Sequence, residues 1–397
     1  MASEPDVLRM IIADHWEDVK PLLSRNLPAD VENAVCSSVE KLLVCGTEAA
    51  GFAQYRCPSC GAVCRVGFKC KSRFCPTCGI ARSMEAAAGA QGRMLNVGHR
   101  HLTFSVPGEL RGLLFSNRRL LNVVAKAATQ ATIHAVGTRC RAHALLPGVV
   151  VTVHTFGRDL IFHVHVHVLC TEGGLRADGV WQPVHIFPAT QYRRLWQYYL
   201  LTGLRRALKE DSGAKVIIGR LFAKYRTGFI VNVMSHYRNG RKAAAYCCRY
   251  TGRPPISEKR IVRYDGKEVV ISYKDYRDGV EKTLTLSARK FLLRLFMHVW
   301  PRYQRNVHYY GLYHPARRRE HVESVVRASK YGNQNRPVPA LSRRERMLAA
   351  LGDLEVCCLE CGSHVILEYI EYKGKRYEEK DKGPPAEVSA EGLLVSV

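Results

Sequence analysis

Residues 160–170 read LIFHVHVHVLC, with His163, His165 and His167 at every second position and Val164, Val166 and Val168 between them. Side chains leave a β-strand alternately on its two faces. The period of two therefore predicts a strand with imidazoles on one face and valines on the other. Such a strand belongs in a sheet with one apolar face, and its histidines need a separate explanation. The preceding GVVVTVHTF (148–156) also reads as a strand and carries His154 at matching parity, with a turn at Gly157-Arg158-Asp159. Two histidines spaced His-x-His present ring nitrogens to one point, which suits a divalent ion. Three of them, with His154 on the neighbouring strand, predict a metal site.

The second dense signal is YRCPSCGAVCRVGFKCKSRFCPTCG (55–79), six cysteines in one short stretch. Cys57-x2-Cys60 and Cys75-x2-Cys78 are each followed by glycine, and a two-residue knuckle brings a pair of thiolates to one side of a tetrahedral ion. Together they predict one closed, structural four-thiolate zinc site shaping a small basic module that touches DNA. Cys64 and Cys70 fall between the knuckles, which leaves open an exchange of ligand or a second ion using a residue such as His15. Farther on, CCLECG supplies Cys358-x2-Cys361 with His364 nearby but no second knuckle, and this half-site is expected to hold no metal.

Lys and Arg total 60 against 35 Asp and Glu, a net charge of +25, and the usual partner of so basic a globular chain is nucleic acid. Arg317-Arg318-Arg319 and Arg343-Arg344 look like patches that contact a phosphate backbone. The first residues lack an apolar signal core, and no run reaches the ~18 apolar residues of a membrane span. A cytoplasmic location without membrane contact is therefore expected. Disulfides are rare there, so the 15 cysteines are better read as metal ligands than as bridges.

Elsewhere, the first ~50 residues show helical spacing of apolar positions. RHLTFSVP (100–107) alternates like a strand, 108–143 and 191–210 read as helices, and 229–234 as a strand. Asp265-Gly266 and Asp278-Gly279 separate three short β-rich runs, which predicts a three-stranded meander, followed by a helix over 287–299. GRKAAAYCCRY (240–250) has helix-forming alanines and is stopped by Gly252 and Pro254-Pro255. Tyr246 and Tyr250 lie four apart on that helix and so share a face, beside Lys242, Arg249 and Arg253. Phenols beside cations, in a basic chain with a histidine metal site, make a phosphoryl-transfer constellation. Cleavage through tyrosine would leave a 5′-phosphotyrosine that keeps the bond energy, and the chain has no Gly-Lys-Ser/Thr phosphate loop for ATP.

The order of motifs is a cysteine-knuckle region, HTFGRDLIFHVHVH, YCCRYTGRPPIS and HYYGLY. This order resembles the two-tyrosine rolling-circle transposases of bacterial insertion sequences, the insertion sequence ninety-one family, from about Cys57 to Leu312. These belong to the HUH nucleases, named for a His-hydrophobic-His metal motif. The resemblance implies an α+β fold: an HUH endonuclease-like antiparallel sheet flanked by helices, with the histidines on a central strand and the tyrosines on a helix beneath it. A small cysteine-rich zinc-binding domain precedes it.

Carried over by residue, the resemblance places the motif on His165-Val166-His167, although Val164 stands where the family usually has proline, so a His163/His165 register stays open. It implies Tyr246 and Tyr250 as nucleophiles and Cys57, Cys60, Cys75 and Cys78 as zinc ligands, with Cys70 also at a family-like place. His154 is the first candidate for a third ligand of the catalytic ion and Glu172 the second. The cofactors implied are structural Zn2+ and catalytic Mg2+ or Mn2+. Lys242, Arg249 and Arg253 would contact DNA. The expected organisation is a helical and zinc-binding domain over 1–95, a catalytic domain over 96–315 and a basic tail over 316–397.

On this reading the chain nicks and joins single DNA strands in rolling-circle transposition. Its partners would be single-stranded or hairpin ends of its element, target DNA, and the host helicase and replication machinery. A plasmid or phage rolling-circle replication initiator shares the same chemistry and is the nearest rival. A small-molecule hydrolase built on His-x-His would need further metal-ligand carboxylates and leaves the charge of +25 without a role. A catalytically inactive zinc DNA-binding relative is a third possibility, in which histidines and tyrosines persist without activity.

Overall fold

The computed structural model describes residues 7–72, 74–79, 94–138, 145–238, 242–243, 255–275, 278–317 and 357–378. At the amino terminus α1 (Val7–Val19), a short turn α2 (Leu23–Asn26) and α3 (Ala29–Leu43) bury the stripe that the spacing predicts. Leu8, Ile11, Ile12 and Val19 on α1, and Val31, Val35, Val39 and Leu42 on α3, are all at most 1% exposed. Asp30 and Glu32 sit in the first turn of α3, where they complement the helix dipole. The hairpin β1 (Phe52–Arg56) and β2 (Val63–Gly67) follows.

The middle of the chain begins with β3 (His99–Ser105), α4 (Arg111–Ser116) and α5 (Leu120–Gly137). The single helix expected over 108–143 is thus two. Asn117 adopts an extended backbone, and its side-chain oxygen accepts from the Arg119 N–H, a local bond that competes with the helix. Next come β4 (Leu145–Leu146), β5 (Gly148–Phe156), β6 (Phe162–Thr171), β7 (Gly173–Arg176), β8 (Trp181–Pro183), α6 (Ala189–Ala207), α7 (Ser212–Lys224) and β9 (Val231–Tyr237). The meander β10 (Ile261–Tyr264), β11 (Glu268–Lys274) and β12 (Glu281–Ser287) then leads into α8 (Ala288–Phe296). Its two turns place Gly266 and Gly279 at positive φ, as the Asp-Gly pairs require. The Ser287 hydroxyl caps α8 by accepting from the Lys290 N–H.

The last central-sheet strand is β13 (Val307–Gly311), formed by the HYYG of the HYYGLY motif. The sheet runs β13-β5-β6-β3-β9, all antiparallel, so the histidine strand β6 lies in its centre. Val149, Val151, Val153, Val164, Val166 and Val168 face a core supplied by α5 and α6, including Tyr192 and Trp196. Burying each valine contributes about 1.5 kcal/mol or more, which fixes the register and with it the histidine face.

The meander and α8 pack on the amino-terminal helices rather than on this core, with Trp16 edge-on to Phe296 at 6.0 Å. Finally β14 (Ile366–Tyr372) and β15 (Lys375–Glu378) extend the amino-terminal hairpin into a sheet of order β15-β14-β1-β2. The architecture is α+β, with antiparallel sheets flanked by helices. Among the described residues, no helix is long and apolar enough to cross a membrane.

Candidate metal centre and cysteine clusters

On the face of the central sheet opposite the valines, the ring nitrogens of His154, His165 and His167 lie within 4.8 Å of one another. The pairings His154↔His165 and Thr152↔His167 between β5 and β6 bring them together. His165 Nδ1 lies 3.2 Å from the His163 carbonyl and His167 Nδ1 lies 3.0 Å from His101 Nε2, contacts that orient both rings. Burial lowers the pKa of His165 to about 3, helped by His154. His167 is pushed down further by burial and by His154, His165 and His101. Both rings are therefore neutral near pH 7, the form that binds metal.

His163 shares the face but is engaged elsewhere, with Nδ1 2.9 Å from Arg111 Nη2. Glu172, the second candidate for a third ligand, pairs with Arg100 at 2.6 Å and with His236 at 2.8 Å, outside the cluster. His101 escaped the sequence reading. It lies on β3 beside Thr103, whose cross-strand partner is His167, and burial lowers its pKa to about 4. The available signal was the alternation of His101 and Thr103 in the strand predicted over 100–107.

Among the described residues the cysteines form two clusters, not the single four-thiolate site expected from the knuckles. In one, Cys45, Cys70, Cys75 and Cys78 converge, with Sγ–Sγ distances of 3.6 Å (Cys45–Cys78), 3.6 Å (Cys70–Cys78) and 3.9 Å (Cys75–Cys45). The Cys70 N–H also donates to Cys45 Sγ. In the other, Cys57 and Cys60 meet Cys358 and Cys361. The hairpin explains the separation. Cys57 and Cys60 occupy the turn between β1 and β2, whereas Cys70 follows the far end of β2. A five-residue strand holds those ends roughly 17 Å apart. Cys45 carried no knuckle signal beyond the glycine that follows it. Cys64 lies on β2 and His15 contacts the Gly266 carbonyl at 3.0 Å, and neither joins a cluster.

Two family models match the chain. One, described as "Putative transposase", matches residues 148–321, and the other, "Transposase zinc-binding domain", matches residues 11–106. A curated relative, "Transposase for insertion sequence element IS801" of Pseudomonas savastanoi pv. phaseolicola, is 29% identical over 346 residues, covering 83% of this chain and 82% of its own. The chain belongs to the insertion sequence ninety-one family of transposases. "Putative transposase y4qJ" of Sinorhizobium fredii (strain NBRC 101917 / NGR234) is 26% identical over 287 residues, covering 68% of this chain and 71% of its own. No solved structure matches the chain.

In this transposase the first match spans the β5–β6 histidines, and the zinc-binding match spans Cys45, Cys70, Cys75 and Cys78. A tetrahedral zinc with Zn–S bonds of about 2.3 Å spaces its sulfurs about 3.8 Å apart, close to the distances in that cluster. Domain and geometry together support a structural zinc in the transposase. Of the other expected site residues, Lys242 is exposed, while Tyr246, Arg249, Tyr250 and Arg253 lie outside the described residues.

Proposed function

We propose that this transposase nicks and joins single DNA strands through 5′-phosphotyrosine intermediates on Tyr246 and Tyr250, in rolling-circle transposition of its insertion sequence. The supporting observation is the convergence of His154, His165 and His167 on one face of the central sheet. Ala243 adds to it. This residue is fully buried in a cluster with Val150 and Leu169, which lie on the same face as the histidines. Leu169 follows His167 by two strand residues, about 7 Å. Tyr246 follows Ala243 by three residues, at most about 11 Å of chain.

The three imidazoles would hold a divalent ion, which when bound would withdraw charge from a scissile phosphate. A donor set made only of imidazoles is softer than the set Mg2+ selects, so Mn2+ and Mg2+ are both worth testing. In the step itself, a deprotonated tyrosine oxygen attacks phosphorus and forms the Tyr–O–P bond. The bond to the 3′-oxygen breaks, and that oxygen takes up a proton. The freed 3′ end primes replacement synthesis by the host. The second tyrosine cuts the other end or the target, and strand exchange resolves both links. Lys242, Arg249 and Arg253 would grip phosphates of single-stranded or hairpin DNA. The host helicase would supply unwinding, in the nucleoid of the bacterial cytoplasm.

The test is cleavage of labelled single-stranded DNA from the element's ends, with Mn2+ or Mg2+. Wild type would be compared with Tyr246→Phe, Tyr250→Phe and the double variant. A metal-dependent, denaturation-resistant protein–DNA adduct is expected in wild type and absent from the double variant. Adduct that persists in the double variant would assign the nucleophile elsewhere. Tight DNA binding without any adduct in wild type would identify an inactive DNA-binding relative.

A further inference from the structure

We propose that Cys57, Cys60, Cys358 and Cys361 form a second structural zinc site, which fastens the carboxy-terminal strands to the amino-terminal hairpin. Cys358 and Cys361 lie far beyond the zinc-binding match, which ends at residue 106. The two knuckles are nonetheless built alike. In Cys57-Pro-Ser-Cys60-Gly61 the Cys57 N–H donates to the Ala62 carbonyl at 2.8 Å, and the Gly61 N–H donates to the Cys57 carbonyl at 2.9 Å. In Cys358-Leu-Glu-Cys361-Gly362 the Cys358 N–H donates to the Ser363 carbonyl at 2.7 Å, and the Gly362 N–H donates to the Cys358 carbonyl at 2.9 Å. Gly61 and Gly362 have φ of +75° and +73°, a conformation that glycine adopts without strain.

The knuckles face each other in crossed order. Cys57 Sγ lies 3.4 Å from Cys361 Sγ, and Cys60 Sγ lies 3.5 Å from Cys358 Sγ. Those distances far exceed the ~2.05 Å of a disulfide and approach the spacing around a tetrahedral zinc. Sheet pairing sets up the encounter. β14 runs antiparallel to β1 with Arg56 opposite Ile366, so the chain just before β14 arrives at the β1–β2 turn. Glu368 accepts from Gln54 Nε2 at 2.8 Å and from Arg56 Nε at 2.5 Å, which fixes that register. The apolar core shared by these strands is small, with Ala53, Tyr55, Phe68 and Ile370 as its buried residues. So small a core needs a staple to hold a chain segment some 300 residues away, and a metal is one of the available kinds.

The full-length protein, purified with zinc and without chelator, is expected to release two zinc ions per chain when its thiols are titrated with a mercurial reagent, which leaves any ion held by the histidines uncounted. The Cys358→Ser/Cys361→Ser variant is expected to release one. A single ion in wild type, or two in the variant, would overturn the proposal. A second measurement needs only wild type: mass mapping of cysteines after iodoacetamide. Cys60 and Cys361 are exposed. They should nevertheless resist labelling while zinc is bound, then react after chelation without added reductant. Rapid labelling in the zinc-replete protein would rule the site out. Labelling only after a reductant would do the same, and would point to Cys57–Cys361 and Cys60–Cys358 disulfides.

Discussion

Of the two four-cysteine clusters, one is assembled between residues 45 and 78, with Cys75 and Cys78 buried, while the other joins residues 57–60 to residues 358–361 and leaves Cys60 and Cys361 exposed. Sulfur spacing hardly distinguishes them; their surroundings do. Cys75 and Cys78 belong to the core that α1 and α3 share with α8, and Phe74 meets Phe296 there at 5.6 Å. The 57–361 cluster caps a sheet whose own core is four buried side chains. The same chemistry should therefore serve two purposes: folding of a domain in one place, and closure of a chain end in the other.

The sharpest way to break that comparison is Cys45→Ser. Losing a thiolate from the buried cluster should release its ion and loosen the core beneath Phe74. The expected cost exceeds about 4 kcal/mol, the range reached when a metal site is lost. Thermal unfolding would show a large fall in Tm together with the loss of one zinc per chain. A fall no greater than that of Cys361→Ser would mean that the buried cluster is not the folding element.

A smaller, local effect is expected for Cys361→Ser. Here β14 and β15 should open as a unit while the central sheet stays folded. Limited proteolysis should then cut between residues 357 and 378 well before the rest of the chain, with the main Tm little changed. Wild type treated with increasing chelator should pass through the same clipped state before it unfolds. Cleavage throughout the chain at the first loss of zinc would show that the two clusters are one cooperative unit.

How far the sequence disclosed these sites depended on distance along the chain. The β6 histidines were legible because strand alternation is a local rule, and the meander because Asp265-Gly266 and Asp278-Gly279 carry their own turn chemistry. Cysteine knuckles are local too, but a knuckle fixes two sulfurs and says nothing about the other two. The partner of Cys57-x2-Cys60 is chosen by the pairing of β1 with β14, a contact no periodicity reveals. His101 was hidden for a related reason. Only the β3–β6 register shows that its ring reaches His167. The break at Asn117 was missed because a single side-chain bond ended a helix that the apolar pattern would have continued.

The smallest expected effect belongs to Cys64→Ala, and it tests whether sulfur content alone defines a cluster here. Cys64 sits in the same cysteine-rich stretch as the ligands, yet it lies mid-strand on β2 opposite Tyr55. The clusters lie beyond the two ends of that strand, and the thiol joins neither. It is half-buried beside the small apolar core, so alanine removes one polarizable atom and leaves no buried polar group unpaired. Stability should change by less than about 1 kcal/mol, and zinc content should match wild type. A drop of one zinc per chain would instead make Cys64 an exchangeable ligand. It would also reduce the distinction between the clusters from a fixed property of the fold to a choice among neighbouring thiols.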